Sequence, residues 1–363
     1  MNVLSLFDGM SCGQIALDQL DIKVDNYYAS EIDKWAMQVA KKNYPNTKHL
    51  GDVTELKGSD LPKIDLLMGG SPCQGFSFAG KQLSFDDPRS ALFFEFVRLL
   101  EETNPKYFLL ENVRMKQEYQ DIISEHLGVK PIMINSALMS AQNRVRLYWT
   151  NIPGVTQPED KGIVLKDILE DGVVDRTKSH CLDANYFKGG NLKSYFEKHR
   201  RQLVFERPCE IKEFNPDSTC HHVATATDIK GNESIKRVYA DSGKSPTLTT
   251  MGGGHREPKV LCGAIRGRYI EGNSGKTEQK LEIRQDGKTN TLTTVQKDNV
   301  VVTPPTYRKL TPMECERLQT VPDGYTEGVS NTQRYKMLGN GWTVDIICHV
   351  LKNVRAEFAR KVA

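Results

Sequence analysis

The sequence predicts an α/β protein, a parallel sheet covered on both faces by helices and interrupted by a β-rich insert. Three observations carry this. Over the first 150 residues, short apolar runs alternate with amphipathic stretches, the pattern of strands joined by helical crossovers. Between about Pro153 and Pro304 that periodicity fades and Gly, Asn, Thr and Lys dominate. After Pro305 it returns. The expected organisation is one domain made of residues 1–154 and 305–363, with residues 155–304 inserted into it.

The elements follow in order. Val3 to Phe7 reads as a buried strand running into a Gly-containing turn, and the apolar stretch YYASE as a strand closed by Glu31. Asp33 to Asn43 reads as a helix, and Ile64 to Met68 as a strand entering Gly69-Gly70. Ser90 to Thr103 has helical periodicity, and Tyr107 to Leu110 is a further strand ending at Glu111-Asn112. Alternation places Gln142, Arg144 and Arg146 on one face of a strand. Thr311 to Gln319 is a capped helix, and Thr343 to Arg360 a second one, long enough to pack against a sheet. Inside the insert, residues 241–251 (DSGKSPTLTTM) resemble residues 285–295 (QDGKTNTLTTV). Two similar hairpins explain that echo better than a solenoid, which needs more copies.

Composition sets outer limits. Hydrophobic content of 38% and charged content of 26% are those of a soluble globular chain. A net charge of +3 permits a nucleic-acid partner without requiring one. The N-terminus has no basic region, apolar stretch or cleavage site of a signal peptide, and no run reaches membrane-span length. The eight cysteines stand singly, without a C-x-x-C pair. Free thiols in a reducing, cytoplasmic compartment are therefore expected. His180-Cys181, Cys209 and Cys220-His221-His222 invite a zinc reading, but their spacings match no metal motif, and no metal is expected.

The candidate chemistry gathers at the carboxyl ends of the strands, where open α/β sheets place their ligands. Ser71-Pro72-Cys73-Gln74-Gly75 follows the strand IDLLMGG directly. A thiol on such a loop can react, yet a lone loop cysteine is more often just part of a turn. Glu111-Asn112-Val113 changes the weighing. Two strands then deliver a soft nucleophile and a carboxylic acid to one sheet edge, the pair that attack on an aromatic ring requires. Gln142, Arg144 and Arg146 add polar groups, although solvated arginines on a half-exposed strand would read the same way. At the start of the chain, Phe7-Asp8-Gly9 with Gly13 forms a strand-to-helix turn. Glu31 lies where an acid accepts from ribose hydroxyls, and Asp52, before Val53, is placed to read an adenine amino group. The phosphate-cradling G-x-G-x-x-G is missing, which favours a nucleoside cofactor over a dinucleotide.

In order and spacing, the fragments FDGMSCG, SEID, GDV, GGSPCQGFS, DPRSALFFEF, LLENV, QNRVRLYW, RKLTPMECERLQTVPDGY and GNGWTV resemble the cytosine-C5 DNA methyltransferases. The resemblance implies a Rossmann-like, S-adenosylmethionine-dependent methyltransferase sheet with an inserted β-rich target-recognition domain. It implies Cys73 as the nucleophile toward cytosine carbon 6 and Glu111 at ring nitrogen 3. Arg146 would contact the base, with Arg144 and Gln142 organising the pocket. S-adenosylmethionine would be held by Phe7, Asp8, Gly9, Gly13, Glu31, Asp52, Val53, Pro72 and Leu92, and by Asn340 and Trp342 from the far end of the chain. The loop from Gln74 to Arg89 would close over DNA, and the target base must leave the stack. Ser11 and Cys12 stand where the bacterial pattern often has glycines. The Asp8-Gly9 form resembles that of the animal de novo enzymes and some phage enzymes, Trp342 also resembles the de novo group, and an altered methyl donor stays open.

Double-stranded DNA is the implied partner, a cognate restriction endonuclease the protein partner such a bacterial or phage enzyme can have, and a monomer the expected state. Arg200 and Arg201, in Lys198-His199-Arg200-Arg201, and Arg256, Arg266 and Arg268 among glycines are the expected DNA contacts along with Arg89. Each of these, taken singly, also reads as a solvated surface charge. Two rivals share parts of this pattern. A tRNA cytosine methyltransferase has the Pro-Cys-Gln chemistry but a short insert with a Cys-Phe-Thr string that is missing here. A catalytically silent DNA-binding paralogue would have no need of Cys73, Glu111 and Arg146 together.

Overall fold

The computed structural model describes residues 1–71, 91–189, 195, 198–205, 222–225, 237–239, 259–260, 262–270, 273–283, 299–301 and 307–358. They divide into two compact units: residues 1–190, 200–203 and 309–363, and residues 191–199 and 204–308.

The first unit is built on a seven-stranded sheet. In chain order its elements are β1 (Asn2–Leu6), α1 (Cys12–Gln19), β2 (Asn26–Ser30), α2 (Lys34–Asn43), β3 (Lys48–Gly51), β4 (Leu66–Gly70), α3 (Ala91–Thr103), β5 (Tyr107–Val113), α4 (Gln117–Leu127), β6 (Ile132–Asn135) and β7 (Val145–Thr150). The strand order is β3-β2-β1-β4-β5-β7-β6. All pairings from β3 to β5 are parallel, while β7 runs antiparallel to both neighbours. The order reverses between β1 and β4, so a crevice is expected at the carboxyl ends of those two strands. The turn after β1 opens there, and Ser71 follows β4 at the same end.

The sequence accounts for this sheet. Leu66, Leu67 and Met68 are fully buried, as a strand covered on both faces requires. Phe93, Phe96 and Val97 recur at helical spacing on α3 and pack with Leu4, Leu67, Leu110 and Trp149 in one core. Each such side chain contributes about 1.5–3 kcal/mol. Helix α2 starts at Asp33, whose carboxylate accepts from the Trp35 and Ala36 amides.

Several boundaries differ from the sequence reading. β5 runs on through Glu111, Asn112 and Val113, because pairing with β7 continues to Val113 opposite Arg146. The strand expected over Gln142 to Arg146 starts only at Val145, since the residues before it turn their bonds elsewhere. Thr311 and Glu314 form the reciprocal cap expected for the helix Pro312–Leu318. The last helix is interrupted: Val344–Leu351 passes through a tight turn at Lys352–Val354 into Arg355–Phe358. Residues 155–190 cluster with the first unit. Lys178 Nζ donates to the carbonyls of Ala137, Ser140 and Ile163 at 2.6, 3.1 and 2.5 Å, and the Asn143 amide to Ser179 O at 2.9 Å.

The second unit is β-rich. Strands His222–Thr225, Arg237–Tyr239 and Lys259–Val260 form one small sheet. Cys262–Ile270 pairs antiparallel with Asn273–Ile283 and with Asn299–Val301 in another. Arg266 stands opposite Lys280 and Arg268 opposite Glu278 along that ladder. Both copies of the internal echo, residues 241–251 and 285–295, and Arg256, lie outside the described residues. Among the described residues, no helix is long and apolar enough to cross a membrane.

Candidate active site

The turn after β1 is held in an unusual backbone. Phe7, Gly9 and Ser11 have φ of 56°, 59° and 66°, three left-handed residues in five, a conformation that disfavours side chains. Gly9 aims its amide at Glu31 Oε2, 2.7 Å away. Glu31 Oε1 accepts the amides of Ile32 and Asp33 at 2.8 and 2.7 Å. This carboxylate is thus cradled wholly by backbone. Asp8 points inward, accepting hydrogen bonds from Ser11 Oγ and, at 2.7 Å, from Tyr27 Oη. Burial pushes its carboxyl up to about 6 against those bonds, and the nearby Glu31 charge adds to the rise. Gly13 sits where a Cβ would lie 2.4 Å from Met68 Cε, so it lets α1 pack onto β4. Its position is one of close packing.

The neighbouring loops complete this side. Asp52 Oδ1 accepts from the Thr54 amide and hydroxyl at 3.0 and 2.9 Å. Val53 is buried beneath it, in the core with Leu92 packed alongside. Ile32 is 71% exposed. An aliphatic side chain left bare immediately after Glu31 offers an apolar face beside an acceptor, and the sequence reading missed it. The signal was present, since Ile32 is an apolar residue placed directly after the acidic one.

The other side of the crevice is built on β4, β5 and β7. Glu111 is buried, 8% exposed, and is met by one ion pair and one hydrogen bond. Arg146 Nε reaches Oε1 at 2.9 Å and Trp342 Nε1 reaches Oε2 at 3.1 Å. The next residue, Asn112, donates to Ser71 Oγ at 3.0 Å and receives the Val113 amide at 2.8 Å. Asn112 thereby anchors the last described residue before Pro72 and Cys73, a role the sequence reading did not assign. Pro72, Cys73 and Arg89 lie outside the described residues. Of the described thiols, Cys12 and Cys348 are pushed up to about 12 by burial, and Cys315 is raised by burial as well. None of the three is a nucleophile near neutral pH.

Gln142 and Arg144 are fully and almost fully buried, and both turn toward the C-terminal segment. Gln142 Nε2 donates to Leu318 O and Gln319 Oε1 at 2.7 and 2.8 Å. Arg144 donates to Leu182 O at 2.9 Å, Gly339 O at 3.2 Å and Gly341 O at 2.9 Å. Burial lowers the guanidinium's hold on its proton, with the Arg146 charge adding to it. Asn340 ends the helix Asn331–Asn340 and is exposed. Gly339 admits no other residue without movement, because a Cβ there would sit 2.3 Å from the Asp183 backbone.

Arg200 pairs with Asp183 at 3.1 Å, and Arg201 donates to Gly189 O at 2.9 Å. Among the described residues, no cluster of three or more His, Cys, Asp or Glu could hold a metal. Cys209, Cys220 and His221 lie outside them.

The chain is 29% identical to the orphan methyltransferase M.SPBetaI of Bacillus phage SPbeta, over 99% of each chain. It is 25% identical to the type II methyltransferase M.HhaI of Haemophilus parahaemolyticus, over 98% of this chain and 94% of that one. Its fold is that of a putative DNA modification methyltransferase from an E. coli prophage, with a TM-score of 0.54 at 20% identity, covering 98% of this chain and 99% of that one. It is also that of the methyltransferase EhMeth of Entamoeba histolytica, with a TM-score of 0.58 at 13% identity and 99% coverage of both. The family model of the C-5 cytosine-specific DNA methylases matches residues 1–356. With a doubly wound sheet, a buried Glu111 at its edge and a match along nearly its whole length, the chain belongs to the C-5 cytosine-specific DNA methylases and is a methyltransferase.

Proposed function

We propose that this enzyme transfers the methyl group of S-adenosylmethionine to carbon 5 of a flipped-out cytosine in double-stranded DNA, with Cys73 as the covalent nucleophile. The observation that carries the reading is the buried Glu111 carboxylate. Arg146 and Trp342 hold it, on the strand whose Asn112 anchors Ser71, two residues before Cys73.

The residues around the first crevice fit the cofactor. A carboxylate offers about four acceptor positions. The three amides on Glu31 leave one on Oε2 for a ribose hydroxyl, and Asp52 keeps Oδ2 for an adenine amino group. Ile32 supplies an apolar face for the adenine ring, and the space beside Gly9 is clear within 4 Å of where a Cβ would stand. Bound there, the sulfonium supplies an electrophilic methyl group.

The protein's own residues do the rest. The Cys73 thiolate forms a bond to carbon 6 of the ring. Glu111, acting as the carboxylic acid, donates its proton to ring nitrogen 3 and so offsets the charge pushed onto it, which makes carbon 5 nucleophilic; the proton returns to Glu111 when the ring is restored. After carbon 5 takes the methyl group, its proton is lost to a base and the Cys73–carbon 6 bond breaks, restoring the aromatic ring. Carbon 6 is sealed inside a stacked duplex, so the base must be extruded first.

Duplex DNA containing 5-fluorocytosine tests this, because fluorine cannot leave as a proton and the adduct stalls. The wild type with S-adenosylmethionine should give a denaturation-resistant protein–DNA species that Cys73→Ala does not form. A wild type that forms no adduct across a library of duplex sequences would overturn the reading.

A further inference from the structure

We propose that Trp342 is a positioning residue for Glu111, and that Gln142 and Arg144 act on the reaction through it. This rests on the reading of Glu111 given above. The resemblance assigned Trp342 to the cofactor wall. Its indole N–H also reaches a carboxylate oxygen of Glu111, 3.1 Å away.

The indole is itself fixed from behind. Arg144 Nη2 and Gln319 Nε2 both donate to the carbonyl of Gly341, the residue directly before it, at 2.9 and 3.1 Å. Gln142 holds Gln319 through its side-chain oxygen at 2.8 Å, and Thr343 donates to that same oxygen at 3.0 Å. Two routes therefore converge on one carboxylate. Arg146 grips Oε1 directly at 2.9 Å. Gln142 and Arg144 set the segment Gly339–Trp342, which grips Oε2.

The geometry also explains Gly70. A Cβ at that position would lie 2.9 Å from Trp342 Nε1 and 3.0 Å from Glu111 Oε2. Any side chain would wedge the pair apart. A carboxylate held at both oxygens presents one fixed edge to ring nitrogen 3, so no reorientation is needed as charge develops.

Trp342→Phe keeps the ring and deletes the donor. Three quantities should be read: kcat at saturating DNA and S-adenosylmethionine, the Kd for S-adenosylmethionine without DNA by calorimetry, and exchange of the cytosine carbon-5 proton with solvent, which follows thiol addition alone. Loss of one hydrogen bond to a charged group should lower kcat and exchange about 10- to 100-fold, with Kd changed less than about two-fold. Gly70→Ala attacks the same contact from the other side and should give a matching loss. In a Glu111→Gln background, Trp342→Phe should add less than about three-fold, the signature of action through that carboxylate. The proposal is overturned if Trp342→Phe keeps wild-type kcat, if its loss is matched by an equal rise in Kd, or if the two losses multiply in the double variant. A wild type inactive on DNA would instead sink the underlying reading of the site.

Discussion

Glu31 and Glu111 stand at the same edge of one sheet and are held in opposite ways. Glu31 rests on three backbone amides drawn from residues 9, 32 and 33. Glu111 rests on two side chains, one of them 231 residues away. A backbone cradle is set by chain path and does not move with a rotamer. It suits a carboxylate that remains an ionised acceptor throughout. Two side chains from distant parts of the chain fix both oxygens and leave one edge facing outward, which suits a carboxyl group that acts on a ring nitrogen without reorienting. The contrast supports the proposed division, with Glu31 serving binding and Glu111 serving chemistry.

The isosteric amides separate the two roles most strongly. Glu111→Gln should lower kcat about 100- to 10,000-fold, the range for a lost general acid, with the Kd for S-adenosylmethionine little changed. Glu31→Gln should behave the other way. It leaves three amides facing a neutral side chain, one half of which is itself a donor. Cofactor Kd should rise about 10- to 100-fold, the worth of hydrogen bonds to a charged group, while saturated turnover stays within a few-fold of wild type. Calorimetry on the free enzyme and turnover at saturating cofactor distinguish these outcomes. If both variants damaged the same parameter, the division of labour would collapse.

The same contrast marks what sequence could reveal. The Glu31 side is local: a strand, a turn with Gly9 and an acid closing the next strand all lie within the first 31 residues. Spacing alone was enough to place them. The Glu111 side depends on contacts across the chain. Adjacency in sequence put Gln142, Arg144 and Arg146 on one face of a strand, but the strand begins only at Val145, and Val145 and Arg146 are both half-buried. Spacing could not show that Gln142 and Arg144 turn to Gln319, Gly339 and Gly341 while Arg146 alone meets Glu111. Nor could it show that Asn112 ties down Ser71, since that bond joins two strands through side chains. The attachment of residues 155–189 to the first unit is hidden for a related reason. Residues 155–190 lack periodicity, yet side chains such as Lys178 bind them to the first unit.

Asp8 offers a smaller, pH-dependent probe of the cofactor side. Its carboxyl is raised from 3.8 to about 6, chiefly by burial and further by the nearby Glu31 charge. A raised acid favours the folded state when protonated, so its contribution is complete below about 3.8 and is lost as pH rises through 6. At pH 7.5 the wild type carries an unfavourable buried charge. Asp8→Asn should therefore be more stable there by about 2 kcal/mol, the two-unit shift reduced for partial exposure. The advantage should shrink steadily between pH 6 and pH 4. Urea denaturation of both proteins across that range measures it. A pH-independent difference would mean that the hydrogen bonds from Ser11 and Tyr27, and not the charge, set the balance at this turn.

Gly9→Ala is the mildest test and bears on how the cradle is made. Gly9 has φ of 59°, and a Cβ there would meet no atom within 4 Å. Sterics thus add nothing to the cost of the left-handed backbone itself, about 1 kcal/mol for an alanine. Phe7 and Ser11 already bear that conformation on either side, so the turn tolerates side chains when its neighbours hold it. The expected result is a loss of about 1 kcal/mol in denaturant stability, with the Gly9 amide still donating to Glu31. A loss several times larger would mean that the turn had sprung open. The amide cradle would then depend on glycine at its centre, and Glu31 would be less independent of side-chain identity than its three backbone donors make it.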